Sequence, residues 1–286
     1  MALAISALAF VGCTQEFNPE GRIILITRQE GSGSRSAFLE GVFGRDYTEI
    51  VLPENSPQTS TANVHARVAS DPQAIGFDSL GHLQGRQGAR FLSINGIAPT
   101  VATVQNGTYP MSRPLKVVHR QEDDLSPAAQ EFARFLTSSQ AQEIISTRGY
   151  VARSDRDDAF VPNMVITGNV VITGSTSVLP LMQRLEEAFE AISNVTLTVT
   201  GGGSGAGRNA VRDGNAVFGM VSAPVTASQI TDMSRDFSVT YTVVADDAIA
   251  VIVNDNNPRE NITIAQLQNI FNANAETRYT HWYQLG

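Results

Sequence analysis

The sequence predicts an α/β fold with enough chain for two domains. Three observations carry that expectation: short β-branched runs alternate with helix-like stretches, the runs are apolar nearly throughout, and one strand–loop–helix device recurs three times. Unbroken apolarity suits strands buried on both faces, and alternation with helices is the pattern of a largely parallel sheet. At 286 residues, 42% of them hydrophobic, the chain has material for two cores.

The chain opens on MALAISALAFVGC, a short apolar run that ends in small residues and the single cysteine, Cys13. It is too short to span a membrane and fits the core of a secretory signal. A cysteine after Val11-Gly12 resembles a bacterial lipoprotein cleavage site, which would make Cys13 the lipidated residue. The alternative is a buried apolar segment with an inert thiol. One cysteine excludes an internal disulfide.

RIILIT (22–27), AIGFDSL (74–80), VVIT (170–173), LTVT (197–200), VFGMVS (217–222), YTVVA (241–245) and AIAVIVN (248–254) are the predicted strands. In LPLMQRLEEAFEAI, Leu181, Leu185, Phe189 and Ile192 recur at helical spacing. SPAAQEFARFLTSSQAQEII reads as a helix with Ser126 as N-cap and Pro127 in the first turn. RSDRDDAFVPNM (153–164) is polar, lacks an apolar stripe and contains Pro162, so it is the linker candidate.

The recurring device carries the chemistry. ILITRQEGSGSRSAFLE, VVITGSTSVLPLMQRL and LTVTGGGSGAGRNAV each run from a strand through a Gly/Ser loop into a helix. Unpaired amides and the dipole at a helix start favour an anion, and glycines let the backbone approach it. Arg28 adds a planar fork of donors. One such loop is usually a capped helix after a turn; three in one chain point to a tetrahedral oxyanion. None carries the Gly-Lys-Ser/Thr ending of a nucleotide P-loop. GGGSGAG matches a dinucleotide fingerprint only loosely, with no acidic residue placed for the ribose.

The net charge of −8 disfavours nucleic acid and an anionic membrane surface as partners. His65, His82, His119 and His281 are scattered without metal-ligand spacing, so no metal and no cofactor are expected. No nucleophile stands in a GxSxG elbow or beside an acid pair. These residues describe a binder and not an enzyme.

GSTSVLPLMQRL, TGGGSGAGRNAV, FGMVSAPV, DDAIAVIVNDNNP and QLQNIFNANAETRYTHW together resemble the first part of the phosphate-binding protein of bacterial phosphate ABC transporters. ITRQEGSGSRSAF, DPQAIGFDSLGHL, GIAPTVATVQNGTYPMSRPL and FLTSSQAQEIISTRGYVA resemble the remainder. The resemblance spans 21–152 and 169–286, in reversed order: joining Gly286 to Gly21 would restore the family's. A circular permutation is expected, with 153–168 bridging the usual termini; a piece of two tandem copies would give the same string.

The resemblance implies a two-lobed periplasmic-binding-protein-like fold of type II, closing on an anion between the lobes. One lobe would combine 21–112 with 252–286, and the other would be 113–251, with 1–20 as signal-like segment and tether. The hinges would be AIAVIVN and YPMSRPL (109–115). The implied phosphate ligands are Thr176 and the Ser177 amide, the Ser204 hydroxyl, and Arg28, Ser32, Gly33 and Ser34; Arg35 is as readily a helix-surface residue. Ser222 stands where many members have an aspartate that accepts the proton of monohydrogen phosphate and repels sulfate. Selectivity over sulfate is therefore expected to be weaker, or rebuilt by Asp246 or Asp247.

The expected protein is an extracytoplasmic, monomeric solute-binding protein that delivers inorganic phosphate to ABC permease subunits, touching the membrane only through a lipid anchor. A binder of a sulfate-like or molybdate-like oxyanion, or a phosphate-sensing or adhesion module, remains open at this point.

Overall fold

The β-branched runs assemble into one long curled sheet. The computed structural model of the chain describes residues 16–44, 49–54, 56–234 and 237–286; Cys13 and its apolar run lie outside them. The strands are β1 (Ile24–Arg28), β2 (Gln58–Thr59), β3 (Ala74–Ser79), β4 (Ala89–Phe91), β5 (Ser93–Ile94), β6 (Ser112–Arg120), β7 (Gly168–Gly174), β8 (Val195–Gly201), β9 (Phe218–Val221), β10 (Val239–Asn254) and β11 (Asn261–Ile262). The helices are α1 (Gly33–Phe43), α2 (Thr61–Ala69), α3 (Leu80–Leu83), α4 (Val101–Gln105), α5 (Pro127–Leu136), α6 (Ser139–Thr147), α7 (Leu179–Glu190), α8 (Ser204–Arg212), α9 (Ala227–Met233) and α10 (Ile264–Phe271).

The sheet runs β2-β1-β3-β10-β6-β9-β7-β8, with β4 also on β10, while β5 and β11 pair separately. Parallel pairs, β1 with β3 and β7 with β8 and β9, lie on either side of two antiparallel strands, β10 and β6. YTVVA and AIAVIVN, which the sequence separates at Asp246-Asp247, form one strand of 16 residues. The acidic pair does not break it because Arg113 holds Asp247 and Arg153 holds Asp246.

The apolar side chains fall into two main cores, and β10 feeds both. Its Ala248–Val253 half packs with Ile26, Phe38, Phe77, Phe271 and Trp282, and Val244 and Ala245 pack with Leu115, Phe132, Ile172, Leu185 and Phe218. Phe38 stacks on Phe77 at 3.8 Å between centroids, both essentially without exposure. Each such burial contributes about 1.5–3 kcal/mol. The first core draws on both ends of the chain. Ile23 N donates to Thr280 O at 2.8 Å, Tyr283 N to Pro19 O at 2.8 Å, and the Trp282 ring meets Phe17 edge-on.

Two helical expectations change. The stretch after Ser126 is two helices, because Ser138 accepts from Ala141 N and starts a new N-cap; Ser126 itself caps α5 through Ala129 N. In α7, Leu181, Leu185 and Phe189 are buried, whereas Ile192 lies past the C-cap Ala191 and is 39% exposed. The polar linker stretch is pinned to the second core by Phe160, which packs on Phe135 and Phe189.

Candidate functional site

All three Gly/Ser loops converge where the two cores face each other. The first begins at Arg28, the last residue of β1, whose side chain is wholly buried. Its Nη1 donates to Asp78 Oδ1 at 2.5 Å, and its Nη2 reaches Thr176 Oγ1 of the second loop at 3.5 Å. Burial lowers the Arg28 pKa and Asp78 opposes that shift; a guanidinium stays charged in either case. Ser32 caps α1, its hydroxyl accepting from Arg35 N at 3.4 Å.

Ser34 is the junction of the site. Its hydroxyl donates to Asp78 Oδ1 (2.8 Å), because a carboxylate only accepts. It therefore accepts from Arg113 Nη2 (3.3 Å) and from the Ser177 hydroxyl (2.8 Å).

The second loop leaves β7 at Gly174, where φ is 137° and a Cβ would stand 2.3 Å from Met220 O. Only glycine fits that approach to β9. Ser175 follows, donating its amide to Met220 O; its hydroxyl accepts from Ser177 N at 3.2 Å and meets the Ser222 hydroxyl at 2.7 Å. The third loop places Ser204 at the start of α8, where its hydroxyl accepts from Ser222 N at 3.2 Å. Gly33 faces this cluster from the other lobe: a Cβ there would lie 1.9 Å from Ser222 Oγ. The lobes thus meet glycine against serine.

A second buried ion pair stands beside the first. Arg113, on β6, donates through Nε and Nη2 to Asp247 Oδ2 at 3.3 and 3.0 Å. Its Nη1 donates to Gly33 O at 3.0 Å and to Ser222 O at 3.3 Å, tying the first loop and the turn after β9 to the strand pair. Two arginines and two aspartates make the centre formally neutral, so any anion must be held by oriented N–H and O–H groups. A cleft of about 260 Å³ opens alongside, between α1 and β6, with Glu40, Met111, Arg113, Lys116 and Ser222 among its lining residues.

The residues singled out from the sequence, Arg28, Ser32, Gly33, Ser34, Thr176, Ser177, Ser204 and Ser222, come together here. The Ser177 amide is turned onto Ser175, so its hydroxyl is the group that crosses to the opposite lobe. Arg35 folds back, its Nη1 donating to Arg28 O at 3.1 Å. Of the two acidic candidates, Asp247 belongs to the cluster, while Asp246 pairs with Arg153. Ser175, Asp78 and Arg113 emerge only from the structure; the signal for Asp78 was a charge set in an otherwise apolar strand. Among the described residues no group of His, Cys, Asp and Glu has metal-holding geometry, and no helix is long and apolar enough to cross a membrane.

The family model of the PBP superfamily domain matches residues 14–140 and 163–286. The phosphate-binding protein PstS 2 of Streptococcus pneumoniae is 31% identical, over 96% of this chain and 95% of its own. That of Streptococcus agalactiae is 30% identical, over 99% and 96%. The crystal structure of a phosphate-binding protein of a phosphate ABC transporter from Streptococcus pneumoniae superposes with a TM-score of 0.76 at 30% identity, covering 93% of this chain and 100% of that one. With two lobes facing each other across a cluster of serines, arginines and glycines, the chain belongs to the PBP superfamily and, within it, to the family of these PstS proteins.

Proposed function

We propose that the protein captures inorganic phosphate outside the cytoplasm and hands it to the permease of an ABC transporter. The observation that carries this reading is Arg28, wholly buried yet reaching Thr176 of the opposite lobe, at the point where the hydroxyls of Ser34 and Ser177 also meet. A tetrahedral anion seated there exchanges hydroxyl–hydroxyl bonds for charge-assisted ones, which are shorter and roughly twice as strong. It also joins groups on β1 and α1 to groups at the starts of α7 and α8, so binding favours the closed lobes. The relatives' names support phosphate as the anion. Relatives named as phosphate-binding proteins support binding and not catalysis.

On the same reading the protein is a monomer whose only membrane contact is a lipid on Cys13. The segments run in the same order as in the PstS 2 relatives, which align along 95% and 96% of their length; the permutation proposed here is relative to family members that place the GSTSV segment first, with lobes formed by 21–112 plus 252–286 and by 113–251. The pairing of segment 19–23 with 280–283 supports the permutation, because the two segments that it would have separated lie side by side. Ser222, neutral where an aspartate would exclude a fully ionised anion, makes discrimination against sulfate weak.

Calorimetric titration with inorganic phosphate tests the reading. One site of micromolar or tighter affinity is expected, with measurable competition by excess sulfate. Absence of heat with phosphate, alongside binding of sulfate or molybdate, would reassign the anion.

A further inference from the structure

Behind Asp78, on the side away from Arg28, sits a histidine that the binding site does not use. His82 Nδ1 lies 3.8 Å from Asp78 Oδ2, with the imidazole 11% exposed and the carboxylate wholly buried. Asp78 spends Oδ1 on Arg28, Ser34 and Ser79 N, while Oδ2 has no hydrogen-bond partner among the described residues. A buried carboxylate oxygen without a donor is costly, so its nearest neighbour matters.

The tautomer of His82 follows from its other nitrogen. Arg86 Nη2 lies 3.0 Å from His82 Nε2, and a guanidinium only donates. Nε2 therefore accepts, and the ring proton sits on Nδ1, facing Asp78. A chain of contacts results, from Arg86 through His82 and Asp78 to Arg28. The other charged groups that act on His82 are Arg28 from β1 and Asp247 from β10. Tyr150, whose ring packs on Gly81, is a further titratable group against this helix.

We infer that His82 is a positioning residue for anion binding: protonated, it forms an ion pair with Asp78 Oδ2, loosens the hold of Asp78 on Arg28 and adds one positive charge behind the site. The proton comes from solvent to Nε2, and Arg86, which is exposed, gives up its bond to that nitrogen and moves into water. This inference rests on the anion-binding reading above. Its sign is fixed by linkage. An anion at Arg28 favours charged His82, so binding takes up a proton and affinity rises as pH falls through the His82 pKa. Burial is the main reason that pKa is depressed, with Arg86 adding to the effect, which places the change on the acid side of neutrality.

The test is calorimetric titration with inorganic phosphate from pH 5 to pH 8 on the full chain and on His82→Gln, which cannot become a cation. The ratio of the two affinities cancels the titration of phosphate itself. It is expected to rise about five- to tenfold from pH 8 to pH 5, as a pKa raised by somewhat under one unit requires. Buffers of differing ionisation enthalpy should show more proton uptake by the native chain than by the variant at low pH. Arg86→Ala, a surface change, should move the midpoint of the native profile to higher pH and leave its acid plateau in place. A flat ratio with normal phosphate binding overturns the role of His82 alone. Loss of phosphate binding by the native chain at every pH overturns the phosphate reading and this inference with it.

Discussion

Two buried arginine–aspartate pairs stand side by side where the two cores face each other, and they are built for different work. Arg28–Asp78 lies within one lobe, between β1 and β3, and its guanidinium extends towards Thr176 on the other. Arg113–Asp247 lies where β6 and β10 cross between the cores, and its donors are spent on Asp247, Gly33 O, Ser222 O and Ser34. The first pair points a cation across to the second loop at Thr176; the second fastens the segments around Gly33 and Ser222. Both obey one rule, that a buried charge must be paired and hydrogen-bonded, but on the proposed reading only the first is directed at the anion.

Lysine substitutions break the comparison most sharply, because they keep each charge and remove the fork. Arg28→Lys is expected to weaken phosphate binding by about a hundredfold, within the 2–5 kcal/mol range for truncating a buried charge pair, read by calorimetry. Its thermal midpoint should fall little, since an ammonium can still face Asp78. Arg113→Lys should do the reverse. Several bonds to Gly33, Ser222 and Ser34 are lost at about 1 kcal/mol each, lowering the midpoint by roughly 5–10 °C in a thermal scan. Phosphate affinity should fall by only about tenfold. Equal effects on binding would show that the two arginines are not divided in this way.

Ser222→Asp sharpens the contrast from the neutral side of the cleft. A carboxylate there accepts the proton of monohydrogen phosphate and repels sulfate. Sulfate competition is expected to fall by about tenfold or more, with phosphate affinity within a few-fold. Unchanged competition would mean that Ser222 does not touch the anion. Arg35→Ala is the smallest change: Arg35 Nη1 only supports Arg28 O, so an effect under about threefold is expected in the same titration.

Where the signal was local, the sequence was enough. A strand, a Gly/Ser turn and a helix start lie within about fifteen residues of one another, so Arg28, Ser32, Ser34, Ser177 and Ser204 were visible as one recurring device. Asp78 and Arg113 were not, because their partners are set by topology. Arg28 and Asp78 stand 50 positions apart, and Arg113 and Asp247 stand 134 apart. In sequence, Asp78 is one acid in a buried apolar run, and Asp246-Asp247 reads as a break between strands. The structure keeps the strand whole because both acids find arginines. Ser138 was hidden for the opposite reason, being a polar residue inside an apparently continuous helical pattern whose side chain caps a new helix.

The meeting of the chain ends bears on the same site, since β1, which carries Arg28, joins the first core together with Trp282. Linking Gly286 to Gly21 and reopening the chain within 153–168 should give a folded protein with phosphate affinity within about threefold of the native one, checked by circular dichroism and titration. Failure of that variant to fold would count against a permuted origin.

A crystal structure grown with phosphate would show whether Arg28 and both lobes hold the anion. Phosphate oxygens are expected within hydrogen-bonding distance of Arg28 and of hydroxyls from both lobes, among them Ser32, Ser34, Thr176 and Ser204, with Arg113 still bound to Asp247. Phosphate seated instead in the neighbouring cleft at Lys116, or held by one lobe alone, would contradict it.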